Sequence, residues 1–484
     1  MKKQEKTKTS FVSTIYKYLI LILPLALFFS YYPIISLGAN SSMNFELSIP
    51  LIWLVVFDVV GIIYAFERRV LFNGFLRKWA WLLFPVWGTL TVIWSVNMIR
   101  GVLTIGILWL ICLAGYIMWQ LRDVFDETFR IKFWKWFFGA TLLACGWCVL
   151  QCILDLAGAP QDYSLMCDGC TYQMFGFPHP NGFAIEPQFM GNLLLAPVLV
   201  LVWLMLRKKQ EYFALRTLGV LLLIVVTVLF LTFSRGAIYA SIVGLCFVSA
   251  FQLFGERKSQ RRFVIKRLGM VWGLVVISFV LSLNIQGLMA MVSPMNDTYV
   301  SGVTKVLNHL SLGIIDIRES KKDDSLPVEK PVENFLEEEN SSVFDGYVAE
   351  STDTRVRLTN AALKIWSSSP TTLLFGVGLG GAGQALYDND LSPAPKEIVQ
   401  NEYASLLLEI GLIGFLLFVL LIVLIVRLAW LYPIRVMILG LMVAYGVSLF
   451  FFSGLPNALQ IYLTPMVLIT VYCNSIVFRK KLVS

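Results

Sequence analysis

Arg235 sits in Thr232-Phe233-Ser234-Arg235-Gly236, a short polar turn between two apolar runs. A guanidinium offers a planar fork of donors and stays charged, so an arginine held there suits a phosphate or diphosphate. Ser234 is a further substrate-site candidate, and Gly236 would let the backbone come close to a ligand. Arg355 and Arg357 repeat this chemistry in Arg355-Val356-Arg357. Residues i and i+2 do not share a helix face, so one of the two can point at a given site. The plain alternative for all three is an anchoring or solvated surface charge.

A second set of residues could move protons. Phe177-Pro178-His179-Pro180-Asn181-Gly182 is followed by Glu186-Pro187. The prolines and Asn-Gly mark turns, yet His179 is one of two histidines in the chain. With Glu186 it offers a base or a hydrogen-bond donor, and Asn181 is a neighbouring candidate. His309 has no such setting and is given no role. Gln400-Asn401-Glu402 precedes an apolar run. Asn401 and Glu402 read as helix-start residues and are also catalytic candidates with Gln400. Glu409 lies about two turns into that run, where an ionisable group is costly and usually functional. An arginine at the outer face would be its partner.

The run Gly376-Val377-Gly378-Leu379-Gly380-Gly381-Ala382-Gly383 formally contains GxGxxG. It lacks the strand–helix unit and the acidic residue of a dinucleotide site. A flexible turn that brings backbone close to a substrate fits better, with Gly378 as a candidate. Asp388-Asn389-Asp390 matches a loose DxD pattern expected by chance in an acidic loop. There is no phosphate-binding GKS/T loop, HExxH or nucleophile elbow. No metal and no cofactor are expected.

These residues must be positioned by membrane helices. Of 484 residues, 57% are hydrophobic and 14% charged, and the mean hydropathy is +0.73. A soluble chain carries about 25% charged residues, so a soluble enzyme, a disordered chain and a disulfide scaffold are excluded. A spanning helix needs about 20 apolar residues. Twelve runs qualify, at about 14–37, 48–66, 79–95, 101–120, 136–156, 189–206, 217–233, 237–254, 268–287, 403–426, 436–453 and 460–477. The expected fold is an all-α polytopic membrane protein with about twelve spans, both termini cytosolic and one large outer loop.

The charges support this division. With the N-terminus inside, 28 of the 39 Lys and Arg fall on the cytosolic side. Nine of the others lie in the long loop, which escapes the positive-inside rule. Arg100 and Arg235 are the two that remain, and both are substrate-site candidates. The +8 net charge is therefore topological and does not call for nucleic acid. The expected organisation is helices 1–9 over 1–287, with an outer loop at 157–188. The large loop follows over 288–402, with a flexible acidic insert at 318–350, and helices 10–12 occupy 403–484. Residues 352–383 have helical spacing within that loop. Six cysteines lie in apolar runs and read as core residues. Cys167 and Cys170 could be a local disulfide or two thiols.

Together these stretches resemble the O-antigen ligase and O-antigen polymerase family. Ser234-Arg235-Gly236-Ala237 resembles its Ser-Arg-Gly-Ala. Arg355, Ala362-Leu363, Pro370 and Gly376-Val377-Gly378 resemble its loop run, and Gln400-Asn401 with Gly411 and Gly414 resembles its His-Asn-x9-Gly motif. Trp94-Ser95 and Pro180-Asn181-Gly182-Phe183-Ala184 are weaker echoes. The resemblance implies a multi-pass glycosyltransferase of the bacterial cytoplasmic (inner) membrane, serving the cell envelope. Its donor would be an oligosaccharide on undecaprenyl diphosphate, with Arg235 and Arg355 on the diphosphate. Its other partners would be an acceptor glycan, membrane lipids and other polysaccharide-assembly membrane proteins. Gln400 departs from the family's histidine and cannot accept a proton, so either His179, Glu186 or Glu402 supplies the base, or the oxyanion leaves on an Arg-neutralised diphosphate with little base help. The departure favours a polymerase over a lipid A–core ligase or protein O-glycosyltransferase. A lipid-linked glycan transporter also fits twelve helices, but the internal repeats and mid-membrane polar residues expected of one are not evident.

Overall fold

The computed structural model describes residues 10–31, 34–37, 45–72, 79–208, 212–255, 258–312, 314, 343–395, 397–453 and 459–473. The first helices are α1 (Phe11–Phe28), α2 (Ile49–Glu67), α3 (Leu83–Val92), α4 (Met98–Gln120) and α5 (Glu127–Leu156). Two single turns, α6 (Gln161–Ser164) and α7 (Tyr172–Phe175), precede α8 (Pro187–Leu206), α9 (Leu215–Leu231), α10 (Arg235–Gly255) and α11 (Lys258–Val292). The large-loop helices are α12 (Tyr299–Leu310), α13 (Val343–Trp366), α14 (Pro370–Phe375) and α15 (Ala382–Asp388). The chain closes with α16 (Glu402–Ala429), α17 (Arg435–Ser448) and α18 (Leu459–Tyr472).

The protein is a helical, polytopic membrane protein. Eight helices are long and apolar enough to cross a bilayer: α1, α2, α4, α5, α8, α10, α11 and α16. The other four expected spans coincide with apolar helices of 10–17 residues, near α3, α9, α17 and α18. Fourteen residues rise about 21 Å, short of the roughly 30 Å of hydrocarbon. In the other direction, the 35 residues of α11 rise about 52 Å and project beyond the bilayer.

Two expectations need correction. The first apolar run does not stay helical to residue 37. Helix α1 ends at Phe28, and β1 (Ile34–Leu37) pairs antiparallel with β2 (Phe45–Ser48). The Tyr31 N–H is donated instead to the Phe183 carbonyl of the 157–188 loop. Pro33 disfavours continued helix before it, and the β-branched Ile34-Ile35 favours strand. In the expected flexible insert, residues 343–350 are helical, as the start of α13, while 318–342 lie outside the described residues.

The core sits around α8, which is apolar on every side and 94% buried. It packs against α9, α10 and α17. Small residues let α10 and α17 meet closely: a Cβ on Gly244 would crowd Ala444, and one on Gly440 would strike Val248. This is how membrane helices associate without a hydrophobic drive between them. Of the six other cysteines, Cys145, Cys148, Cys152 and Cys473 are buried, Cys112 is half-buried, and Cys246 is exposed on α10.

Helix α16 is broken at Gly411, which takes φ 67°, ψ −176°. The break frees backbone carbonyls, and a glycine-rich loop takes them up. Val377 donates to the Leu408 carbonyl at 2.8 Å and Gly378 to the Glu409 carbonyl at 2.8 Å. The Trp87 indole reaches the Ile410 carbonyl at 3.0 Å. A broken membrane helix is tolerated where neighbouring protein satisfies it in this way.

Candidate functional site

Helix α10 begins at Arg235, directly after the turn Thr232-Phe233-Ser234. Phe233 turns the chain with φ 58°, in the left-handed region, a costly conformation for a bulky residue and one that gathers at functional sites. Its carbonyl bonds His309 Nε2 at 3.1 Å, and its ring stacks on His309 with centroids 4.0 Å apart. Ser234 Oγ accepts from the Ala237 N–H at 3.5 Å.

A cavity of about 480 Å³ opens over this turn. It is lined by His179, Glu186, Ser234, Arg235, Arg355 and Gln400, which lie up to some two hundred residues apart in sequence, and also by Asp168, Gln188, His309 and Thr354. Six of the expected site residues therefore converge. Arg235 is buried, whereas Asp168 and Glu186 are exposed at the rim. The floor is cationic, with Arg235, Arg355 and the positive end of the α10 dipole. A helix N-terminus and guanidinium groups are features that favour a nearby anion.

Arg355 is carried by α13 and held by Gln400, whose Oε1 accepts from Arg355 Nε at 2.7 Å. Gln400 thus touches the arginine and orients its fork. Arg357, two residues on, is exposed and lies outside the cavity lining, as the i, i+2 geometry requires. Arg235 and Arg355 also border a second cavity of about 330 Å³, whose other walls include Leu312, Val356, Phe450 and Phe451.

His179 is 7% exposed, and its Nδ1 has no hydrogen-bond partner among the described residues. Burial pushes its imidazole down to about 3, so it is neutral at pH 7. The backbone N–H of His179 is donated to the Cys170 carbonyl at 3.0 Å, and Cys167 and Cys170 are joined as a disulfide. Asn181 is fully buried beneath. It donates to the Ala184 carbonyl at 2.6 Å and accepts from Gln151 and from the Cys167 N–H at 3.3 Å. It shapes the loop and does not line the cavity.

His309 is the residue that sequence reasoning passed over. Helix α12 brings it to the cavity, tied down by Lys305, which bonds Asp297 Oδ2 at 2.6 Å and the Phe175 carbonyl at 3.1 Å. The Tyr239 hydroxyl bonds the Leu310 carbonyl at the end of the same helix. Burial first, then the Arg235 guanidinium, holds the His309 imidazole well below its usual range; His179 and Arg355 add smaller pulls, against the Phe233 carbonyl. The amphipathic pattern of 299–310 was the available signal.

The remaining candidates lie elsewhere. Asn401 caps α16, accepting from the Tyr403 and Ala404 N–H groups at 3.1 and 3.2 Å, and borders the second cavity. Glu402 is buried and accepts from Ser453 Oγ at 3.0 Å. Glu409 accepts from the Gly380 and Ala382 N–H groups at 3.0 and 3.3 Å and feels the charge of Arg100. It pins the glycine loop. Gly378 has φ 95°, and a Cβ there would collide with the Ser95 backbone. The loop therefore approaches α16 and Ser95. Gly236 likewise makes room for Phe451 and Gln188. Asp388 and Asp390 are exposed at the end of α15, outside the cavity lining.

Residues 218–419 match the family model described as O-antigen ligase. That stretch carries α9 through most of α16, and with it Arg235, His309, Arg355 and Gln400. No curated protein matches the chain.

Proposed function

We propose that this protein, whose residues 218–419 match the O-antigen ligase family model, is a glycan polymerase of the bacterial inner membrane. It transfers oligosaccharide repeat units from undecaprenyl diphosphate to a sugar hydroxyl of an acceptor chain at the extracytoplasmic face. The reading rests on one observation: Arg235 and Arg355 meet over the N-terminus of α10 in one cavity.

The chemistry follows from that arrangement. The two guanidinium groups and the helix end neutralise the diphosphate and make it a good leaving group. The acceptor hydroxyl attacks the anomeric carbon from the opposite side. The bond from that carbon to the diphosphate oxygen breaks, and the electron pair leaves on the diphosphate. A single displacement inverts the anomeric configuration, and needs no metal. Glu186, a rim carboxylate in the lining, takes the hydroxyl proton. Neutral His179 walls the acceptor side of the cavity, and Gln400 positions Arg355. The apolar wall of Phe450, Phe451, Leu312 and Val356 takes the first part of the carrier lipid, on the far side of the same two arginines.

Purified chain incubated with a synthetic undecaprenyl-diphosphate-linked repeat tests this directly. A ladder of products from that substrate alone is the expected result, and it should persist in EDTA. Product seen only when a different acceptor is added would mean a ligase or protein O-oligosaccharyltransferase using the same donor. Movement of the intact lipid-linked glycan across vesicles, with no new glycosidic bond, would mean a transporter.

A further inference from the structure

The helices that bear on the cavity also border a separate cleft at their opposite ends. Helix α8 places Pro187 and Gln188 at the cavity, and α10 places Arg235 there. The same two helices end at Leu206 and Gly255, on the rim of a cleft of about 440 Å³. Helix α17, packed against both, starts at this cleft with Arg435, and after its other end the Leu449 carbonyl accepts the Glu402 N–H at 2.9 Å. The cleft therefore lies at the opposite membrane face from the Arg235 cavity.

Its lining includes Trp203, Arg207, Lys208, Gln252, Gln260 and Arg435, and no carboxylate among the described residues. Arg207 is pre-positioned. Its guanidinium lies 5.2 Å from the Trp203 ring centroid and 5.9 Å from that of Tyr472. The Trp203 indole is fixed in turn by the Pro433 carbonyl at 3.3 Å. Cations that merely snorkel point into open water. Here the half-buried Arg207 and the exposed Lys208 and Arg435 line one concave space, beside two side-chain amides and the first turn of α17, with an aromatic wall behind Arg207.

We propose that this cleft binds the phosphate headgroup of an anionic phospholipid of the cytosolic leaflet. Arg207 and Arg435 hold the phosphate, Lys208 adds charge at the rim, and the amides of Gln252 and Gln260 meet the headgroup polar atoms. The acyl chains run along the apolar sides of α8 and α10. A bound lipid would clamp the α8–α10–α17 trio from below, while the close Gly244 and Gly440 contacts hold it at mid-depth.

The test uses the full chain, delipidated in detergent and titrated with mixed micelles of phosphatidylglycerol, with phosphatidylcholine, or with inorganic phosphate. Binding is read by native mass spectrometry. Phosphatidylglycerol should bind about tenfold or more tighter than phosphatidylcholine, and the double variant Arg207→Gln, Arg435→Gln should lose that preference. Equal binding of the two lipids, or an unchanged preference in the double variant, would overturn the site. Full competition by inorganic phosphate would overturn the lipid assignment and leave a soluble anion as the ligand. The double variant must melt as wild type does in lipid-free detergent. If it does not, Lys208→Gln, on the exposed rim, carries the same comparison with a smaller expected loss.

Discussion

Two regions of this protein look alike in sequence and do opposite things in three dimensions. One is the cavity around Arg235 and Arg355. The other is the glycine loop at 376–383 with Glu409 and Arg100. Each combines arginine, a carboxylate and a backbone turn with glycine. In the loop region the polar groups are consumed internally: the Glu409 carboxylate takes two backbone N–H groups, and the carbonyls freed at Gly411 take two more. Around Arg235 the groups face about 480 Å³ of open space, and a buried His179 nitrogen has no partner among the described residues. The difference is one of setting. The Glu409 groups close a backbone break, whereas the charged side chains around Arg235 line a cavity.

The largest effect that could break this comparison comes from the arginines. Arg235→Ala and Arg355→Ala should each lower transfer by about 100- to 1,000-fold, as loss of one charge-stabilising donor does elsewhere. Membrane levels of the protein should stay near normal. Arg357→Ala, exposed and off the cavity, should leave the rate within about twofold. Glycan chain length from cells and the rate with purified protein are the readouts. Equal losses from Arg355 and Arg357 would show that α13 is turned differently when substrate binds.

The loop should fail in the other way. Gly378→Ala puts a Cβ into the Ser95 backbone at a φ of 95° and should cost about 2 kcal/mol or more. Glu409→Ala strands two N–H groups, at about 1–3 kcal/mol. Both variants should be scarce in the membrane and melt early, while the molecules that do fold keep their specific rate. A stable Glu409→Ala protein with no activity would move Glu409 from the frame into the chemistry.

How much of this contrast was legible before the fold is itself instructive. The membrane character, the positions of the apolar helices and six cavity residues could be read from composition, charge and short motifs. Bonding partners could not: Asn181 and His179 are both buried, but Asn181 is bonded within the loop while His179 lines the cavity. The Gly411 break was also hidden, since the apolar run continues through it and the carbonyls it frees are met by residues more than thirty positions upstream. His309 was missed because its partner, the Phe233 carbonyl, belongs to a turn 76 residues away. The motif Gln400-Asn401-x9-Gly411 now has a physical sense: one residue aims Arg355, the next caps α16, and the glycine ends its first segment.

A smaller effect is expected from acid. His179 is held neutral by burial, with its imidazole pushed down to about 3, against about 6.5 in an unfolded chain. The folded protein therefore binds fewer protons than the unfolded one between those values. Stability should be fully present above about pH 6.5 and fall as pH drops toward 3. At pH 5 the upper bound from this one group is about 2 kcal/mol. A melting series in detergent should show that slope, and His179→Phe should flatten it without removing it, because His309 is shifted in the same direction. An identical slope in the variant would mean that His179 is wetter than its 7% exposure implies.

The smallest expected effect is also the sharpest, because it separates a residue that aims a cation from one that carries a proton. Gln400 cannot act as a base, yet it stands where the resembled motif has histidine. Its bond to Arg355 Nε, at 2.7 Å, orients the guanidinium beside the cavity. Gln400→Ala should lower kcat/KM about tenfold, through loss of one charge-assisted hydrogen bond. The pH profile should keep its shape, since no titrating group is removed. Gln400→Glu keeps an acceptor at the same place but adds a negative charge against the arginine, which competes with the diphosphate. It should therefore raise KM for the lipid-linked donor more than Gln400→Ala does, an effect that high salt would soften. A new inflection in the pH profile of Gln400→Glu, with kcat retained or raised, would instead mean that this position reaches the acceptor hydroxyl and that the proton leaves by way of residue 400.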